Sequence, residues 1–268
     1  MGFKRPLVRL QSLGPREKAL KRNCFEAFLV ICGIVLEYCM DDILQVSPIA
    51  DIFTDFPDKF GLPRQSGRAS ALLGTIVFRP EYRAQEALRG LDEFSHIWLL
   101  FGFSQHFLKG WHPTVRPPKL GGNERTGVFA SRSPFRPNPL GLSCVKLEEI
   151  RPSDANGPIL IVSGVDMVSA TPIYDIKPYI TYADSHPEAV SGFAARHSKD
   201  RLAVRFADGI QEKIRPDKMQ GLIQCLQDDP RPSYHTDDAR IYHMRFSEYD
   251  IGFFISDGVV TVTCADEL

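Results

Sequence analysis

Prolines at 113, 117, 118, 134, 137 and 139, with glycines at 121, 122, 127 and 141, punctuate the middle of this chain. Proline fixes φ, removes a backbone donor and pushes the residue before it out of the helical region. No long helix can cross this stretch, so it must be a shaped loop or a set of short extended pieces. The same segment carries Lys109, Arg116, Lys119, Arg125, Arg132 and Arg136 against a single acid, Glu124. Guanidinium groups on a rigid, non-helical loop suit a polar, anionic ligand. A solvated basic loop is the alternative that composition allows.

The rest of the chain bounds what that loop can serve. At 268 residues and 43% hydrophobic it can bury a substantial core in one or two domains. The formal net charge is −1, so a polyanion would have to meet a local basic patch and not the whole surface. Cysteines 24, 32, 39, 144, 225 and 264 form no Cys-x-x-Cys pair. They read as free thiols in a reducing compartment. The seven histidines show no metal-ligand spacing, and no metal is expected.

Residues 1–39 differ in texture. Seven Lys and Arg residues, from Lys4 to Arg22, precede a short apolar run, Phe28–Leu36. The run is far below the roughly 20 residues that span a bilayer. It has signal-peptide size, but the basic region before it is long and no small-x-small cleavage site follows. We expect 1–39 to be a non-core N-terminal extension, with secretion as the alternative and no membrane span.

From Ile43 the chain reads as β-rich. Ile43–Ile52, Ala69–Phe78, Phe94–Phe103, Leu140–Ile150, Ile159–Val165 and Thr171–Ile176 are apolar, β-branched or aromatic runs bounded by Gly, Pro and Asp. Such short strands with long loops predict a mostly β domain, a barrel or sandwich, over 40–188. Gln85–Arg89 is a short helical candidate. A small α+β domain is expected over 189–268. Met219, Leu222, Ile223 and Leu226 give an amphipathic helix over Lys218–Leu226. Ile241–Glu248 and Ile251–Ile255 read as strands, and Asp257-Gly258 as a hairpin turn into Val259–Thr263.

The familiar catalytic signatures are missing. There is no Gly-x-Ser-x-Gly, no Gly-x-x-x-x-Gly-Lys and no His-Glu-x-x-His, and the lack of Gly-x-Gly-x-x-Gly weighs against a Rossmann domain. Cys144 sits within an apolar strand pattern with nothing basic placed to activate it, and reads as core. What remains is polar side chains in constrained loops. They are Arg64 and Gln65 after Pro63, Ser104 and Gln105 at a strand end, and Arg132, Arg136 and Asn138 between prolines. Asp175, Lys177, Tyr179 and Asp184 then follow in quick succession. Period two puts Asp175 and Lys177 on one face of a strand, as a structural or a functional ion pair.

These blocks carry a resemblance. Pro63-Arg-Gln65, Arg89-Gly-Leu-Asp-Glu-Phe-Ser-His-Ile-Trp98, Val115-Arg-Pro-Pro-Lys-Leu-Gly-Gly-Asn-Glu-Arg125, Gly127-Val-Phe-Ala-Ser-Arg-Ser-Pro-Phe-Arg-Pro-Asn-Pro139, Gly164-Val-Asp-Met-Val168 and Asp175-Ile-Lys-Pro-Tyr179 resemble the TsaA-like proteins, the TrmO-type tRNA methyltransferases. The resemblance covers about 43–188 strongly. It continues more weakly through Asp228-Asp-Pro-Arg-Pro-Ser-Tyr234 and the terminal strands, as in bacterial members with a C-terminal domain.

The resemblance implies a single-sheeted β-barrel and a homodimer that binds S-adenosylmethionine near its dimer interface. The implied activity is cytoplasmic methylation of N6 of N6-threonylcarbamoyladenosine, at position 37 beside the tRNA anticodon. Carried over, the cofactor pocket comprises Pro63, Arg64, Gln65, Ser104, Gln105, Arg132, Leu142, Ser169, Ala170 and Thr171. Two departures stand out: Ser104 replaces a histidine, and Ser169-Ala170 replaces Asp-Gly.

The residue chemistry suits that activity. Methyl transfer from a sulfonium is an in-line displacement in which positioning supplies much of the rate. An acceptor nitrogen with a delocalised lone pair gains from a group that takes its proton. Asp175, Asp184 and Tyr179 are the candidate bases, with Lys177 orienting a carboxylate or meeting phosphate. Arg116, Lys119, Arg125, Arg136 and Asn138 are candidate tRNA contacts, helped by the C-terminal domain. Phe135, Trp111 or Tyr182 are candidates to stack on an extruded base. Two other classes compete. A cofactor-binding sensor or small-molecule methyltransferase would bind the cofactor without methylating tRNA. A pure RNA-binding module would bind tRNA and no cofactor.

Overall fold

The computed structural model describes residues 30–31, 34–35, 44–117, 124–153, 155–197, 201–231 and 240–268. The chain divides into two units, Met1–Val46 and Ser47–Leu268. In the first, Val30–Ile31 pairs with Ile34–Val35; the expected extension 1–39 otherwise lies outside the described residues, as does Lys119.

In the second unit six strands close into an antiparallel barrel: β1 (Ala50–Thr54), β2 (Leu73–Phe78), β3 (His96–Gly102), β4 (Leu140–Arg151), β5 (Ile159–Ser163) and β6 (Thr171–Pro178). Around the barrel the order is β6-β1-β2-β5-β4-β3, and β3 closes on β6. Alternation dictates the interior. Ile52, Ile76, Ile97, Leu99, Val145, Leu160, Val162 and Ile173 are buried, and a barrel of this size is filled by its own side chains. Gly141 is required on β4, because a Cβ there would sit 2.2 Å from the Phe101 ring. The first expected strand starts later than its apolar run. Its ladder pairing begins only at Ala50, and residues 44–47 are exposed. Gln85–Leu88 is a 3-10 turn.

The C-terminal part is a four-stranded sheet with one helix. Strands β7 (Ala203–Phe206), β8 (Tyr242–Phe246), β9 (Tyr249–Ser256) and β10 (Val259–Glu267) lie in the order β7-β10-β9-β8, with β7 parallel to β10. A single helical turn, α1 (Thr181–Asp184), follows the barrel, and α2 (Pro216–Gln227) is the expected amphipathic helix. Its buried face is Gly221, Leu222, Cys225 and Leu226, so the face is turned slightly from the predicted stripe. Asp257 and Gly258 both have positive φ, at 49° and 74°, which matches the expected tight hairpin. Sequence reading missed β7 because its residues alternate between exposed and half-buried, without a strong apolar run.

The barrel and the C-terminal sheet share one apolar core through the segment 55–72. Phe56 meets Phe246 edge-on at 5.4 Å, and Phe60 stacks near Tyr242 and Phe253. Gly61, at φ 86°, presses against Met244, where a Cβ would sit 1.8 Å from the sulfur. Lys218 on α2 reaches Asp55 at 2.6 Å, and Arg68 pairs with the buried Asp228. Segment 55–72 therefore carries Arg64 and Gln65 on a firm base.

Candidate functional site

The described residues of the proline-rich stretch form a loop closed at its base. Phe103 N–H donates to the Pro139 carbonyl at 2.8 Å, closing its base, and Thr114–Val115 pairs with Thr126–Gly127 as a two-residue ribbon. Beyond the ribbon the chain turns through Val128–Ala130. A run of hydroxyls then satisfies the backbone that proline leaves without a ladder. Ser131 Oγ donates to the Val128 carbonyl at 2.9 Å and accepts from Ser133 N–H, and Ser133 Oγ accepts from Phe135 N–H. Arg136 Nη1 donates to the carbonyls of Val128 at 3.1 Å and Ser131 at 2.6 Å. One of the two loop arginines thus spends donors on holding the loop's shape.

The other crosses to the neighbouring loop. Arg132 Nη1 donates to Gln65 Oε1, which ties the proline-rich loop to the Pro63–Gln65 turn. Next to Gln65, the Ser66 backbone N–H lies near the carboxylate of Asp166 and favours its charged form. Asp166 accepts the Ser143 hydroxyl at 2.7 Å. Ser143 is only 2% exposed and points into the barrel. Although Asp166 as a whole residue keeps some exposure, its carboxyl is enclosed. Burial pushes that carboxyl above its ordinary value, opposed by the Ser143 hydroxyl, the Ser66 N–H and the nearby Arg132 guanidinium. Sequence reading passed over Asp166. A signal existed: alternation along β4 turns Ser143 inward with Gly141 and Val145, and an inward hydroxyl needs a partner.

Most of the remaining predicted cofactor residues lie around this mouth in differing roles, whereas Leu142 lies on the outer wall of the barrel. Arg64 reaches the Arg231 carbonyl of the C-terminal part at 3.3 Å. Ser104 and Gln105 are exposed on a 3-10 turn after β3. The turn's third residue, His106, is 8% exposed and accepts from Lys59 Nζ at 2.8 Å. Burial, then the ammonium groups of Lys59 and Lys109, holds the His106 imidazole below its ordinary value. In the 169–171 turn, Ser169 Oγ accepts from Thr54 N–H and Thr171 Oγ1 donates to the Val168 carbonyl at 2.6 Å. Ala170 stands at φ 61°, a left-handed conformation that glycine adopts at no steric cost.

The predicted catalytic residues line the outer wall of the barrel. Register puts Leu142, Leu100 and Asp175 on one rung and Cys144, Trp98 and Lys177 on another. A bulge between Ile173 and Asp175 sets the aim of the strand. Lys177 Nζ lies 2.8 Å from Asp175 Oδ2, and Ile176 N–H donates to Asp175 Oδ1 at 2.9 Å. Asp184 is differently engaged. Its Oδ2 accepts from Trp98 Nε1 at 3.1 Å and from Ile180 N–H at 2.8 Å, so it fastens α1 to β3. Tyr179 packs 5.9 Å from the Trp98 ring. Burial, then Asp184, raises the Cys144 thiol, which makes it inert as a nucleophile.

Of the predicted tRNA contacts, Arg116, Arg125 and Asn138 are exposed. Among the stacking candidates, Phe135 is wedged between His106 at 5.0 Å and His112 at 5.4 Å, while Trp111 and Tyr182 are exposed.

Known proteins share this architecture. The family described as the tRNA-methyltransferase O N-terminal domain matches residues 51–185, and the TrmO C-terminal domain matches residues 199–267. The tRNA (adenine(37)-N6)-methyltransferase of Escherichia coli strain K12 is 37% identical over 221 residues, covering 80% of this chain and 94% of its own. The protein of the same name from Eikenella corrodens is 44% identical over 170 residues, covering 63% and 95%. A crystal structure of TrmO from Pseudomonas aeruginosa superposes with a TM-score of 0.68 at 33% identity, covering 84% of this chain and 98% of that one.

Proposed function

The chain belongs to the tRNA-methyltransferase O family, and from that premise we propose that it is an S-adenosylmethionine-dependent tRNA methyltransferase. It methylates N6 of N6-threonylcarbamoyladenosine at position 37, beside the anticodon. The observation that carries this is the Arg132–Gln65 bond. Two segments that the resemblance assigns to one cofactor pocket meet there over the enclosed Asp166 carboxyl.

The donor set fits the cofactor. Arg132 offers a forked guanidinium whose hydrogen bond among the described residues goes to a neutral amide, with the Asp166 carboxyl nearby, which suits an amino-acid carboxylate. Gln65 and the Ser66 backbone stand beside it. When bound, S-adenosylmethionine supplies a methyl carbon made electrophilic by its sulfonium. The chain's own part is to orient the acceptor nitrogen in line with that carbon and to take its proton. Asp175 is the base of choice, because its half-exposed carboxylate is held only by an exposed lysine and one N–H. Lys177 orients it. Asp184 and Tyr179 position Trp98 and the end of β6.

The partner readings follow the same line. Leu142 is 52% exposed on the outer wall beside Leu100 and Trp98, which supports a homodimer that covers this face. The C-terminal part borders the pocket through Arg231 and Arg64, which supports its contact with tRNA. A tRNA substrate points to a cytoplasmic protein.

The test is nucleoside mass spectrometry on tRNA incubated with the protein and S-adenosylmethionine. One methyl gained on threonylcarbamoyladenosine, and none on an unmodified transcript, is the expected result. Bound cofactor with no methyl on any nucleoside would turn the reading to a sensor or small-molecule enzyme.

A further inference from the structure

We propose that Phe129, backed by Arg136, is a stacking platform for an unpaired base of RNA, and that Arg116 and Arg125 grip the adjoining backbone phosphate. This rests on the tRNA-methyltransferase reading and names the surface that holds the substrate.

Phe129 is 75% exposed, although Val128 before it is buried. A large aromatic side chain left in water is informative only if it is held there, and this one is. It sits in the 3-10 turn Val128–Ala130, closed by the Ser131 hydroxyl on the Val128 carbonyl. The Arg136 guanidinium lies 5.9 Å from the ring centroid. That guanidinium is itself pinned by the carbonyls of Val128 and Ser131. The ring therefore has a fixed cation on one side and solvent on the other. A planar group arriving on the open side finds a rigid aromatic surface with little ordering left to do.

The charges beside it point to the same occupant. The ribbon pairs Val115 with Thr126 as its last rung, and Arg116 and Arg125 are the residues that adjoin that rung on the two strands. Both are exposed. Among the described residues, neither has a carboxylate within salt-bridge distance. Like charges brought together at the end of a strand pair repel unless an anion is shared between them. A planar ring platform on the same ribbon as an arginine pair matches a nucleotide, with its base and phosphate. In a duplex both faces of a base are taken, so the occupant is a nucleotide of a single-stranded loop. Trp111, Tyr182 and Phe135 lack this combination, since no cation backs their rings among the described residues. Arg136 is accordingly a support for Phe129 and not a direct ligand.

The test uses the full chain and a tRNA anticodon stem-loop carrying the fluorescent base 2-aminopurine at successive loop positions. Phe129→Ala is expected to weaken stem-loop binding by roughly tenfold or more, the scale of one lost base stack. It should also abolish 2-aminopurine quenching at one position. Phe129→Trp should restore both. S-adenosylmethionine affinity and oligomeric state should not change. Arg125→Ala should weaken binding and lower the salt dependence by about one phosphate contact.

Stem-loop affinity within about twofold of the parent in Phe129→Ala would overturn the proposal, as would conversion of a dimer to a monomer by that change. If the parent methylates tRNA while Phe129→Ala does so with unchanged KM for tRNA, the platform alone fails. If the parent neither binds nor methylates tRNA, the functional reading fails with it.

Discussion

Two aspartates nine residues apart in the chain show how differently one residue type can be used. Asp166 lies at the barrel mouth, its carboxyl enclosed and bonded by the Ser143 hydroxyl. Asp175 lies on the outer wall, half-exposed and paired with an exposed lysine. Enclosure makes the first a structural acceptor beside the turn bearing Gln65. Exposure leaves the second able to accept a proton from a substrate. Both lie in blocks that carry the resemblance, and residue chemistry singled out Asp175, yet the better-held carboxylate is Asp166. In the proposed reaction, firmness of hold separates the positioning carboxylate from the reacting one.

The sharpest way to break this comparison is Asp175→Asn. If Asp175 is the base, kcat should fall by about a hundred- to ten-thousand-fold, with thermal stability and S-adenosylmethionine affinity unchanged. Retention of full activity would move the base elsewhere on the wall. Asp166→Ala should act the other way. It strands the buried Ser143 hydroxyl, a loss of about 1–3 kcal/mol in urea denaturation, and loosens cofactor binding at the neighbouring Gln65. Stability unchanged by that substitution would show the mouth to be loosely held.

The pH dependence separates the two carboxylates further. Asp166 has a folded value raised above its ordinary 3.8. The stability this group contributes is fully present below 3.8 and is lost as pH rises through the folded value. In urea titrations carried upward from the acid side of that value, Asp166→Asn should remove that component, and an identical pH profile would refute the assignment.

Ala170→Gly tests the turn beside this mouth. Relieving a left-handed alanine should raise stability by about 0.5–1 kcal/mol, read as a higher melting temperature, and a drop would mean the methyl group packs usefully. The smallest effect belongs to Lys177→Met. Its exposed pair with Asp175 is worth about 0–1 kcal/mol, so stability should barely move while kcat falls. An equal loss in both would make the ion pair structural.

Much of the fold was legible locally. Apolar, β-branched or aromatic runs located the barrel strands, the first of them several residues early, the i, i+3, i+4, i+7 stripe located α2, and Asp257-Gly258 located the last hairpin. Strand β7 escaped because an edge strand with half-exposed side chains has little hydrophobic pattern to read. In the site, the Asp175–Lys177 pair was readable from strand period alone. The partners of Asp184, Ser143 and Arg136 were not, since each lies on another part of the fold or depends on how a loop closes.

The sequence by itself determined that no long helix crosses the proline-rich stretch, that a β core surrounds it, and that its blocks resemble the tRNA-methyltransferase O family. Backbone restriction and side-chain periodicity are local properties, written residue by residue. Only the tertiary structure decided that the Asp166 carboxyl is enclosed and that of Asp175 is not, that Arg132 meets Gln65, and that Arg136 turns inward to support Phe129. Burial and hydrogen-bond partnership depend on what the closed barrel brings near, and these are set by contacts between residues distant in the chain.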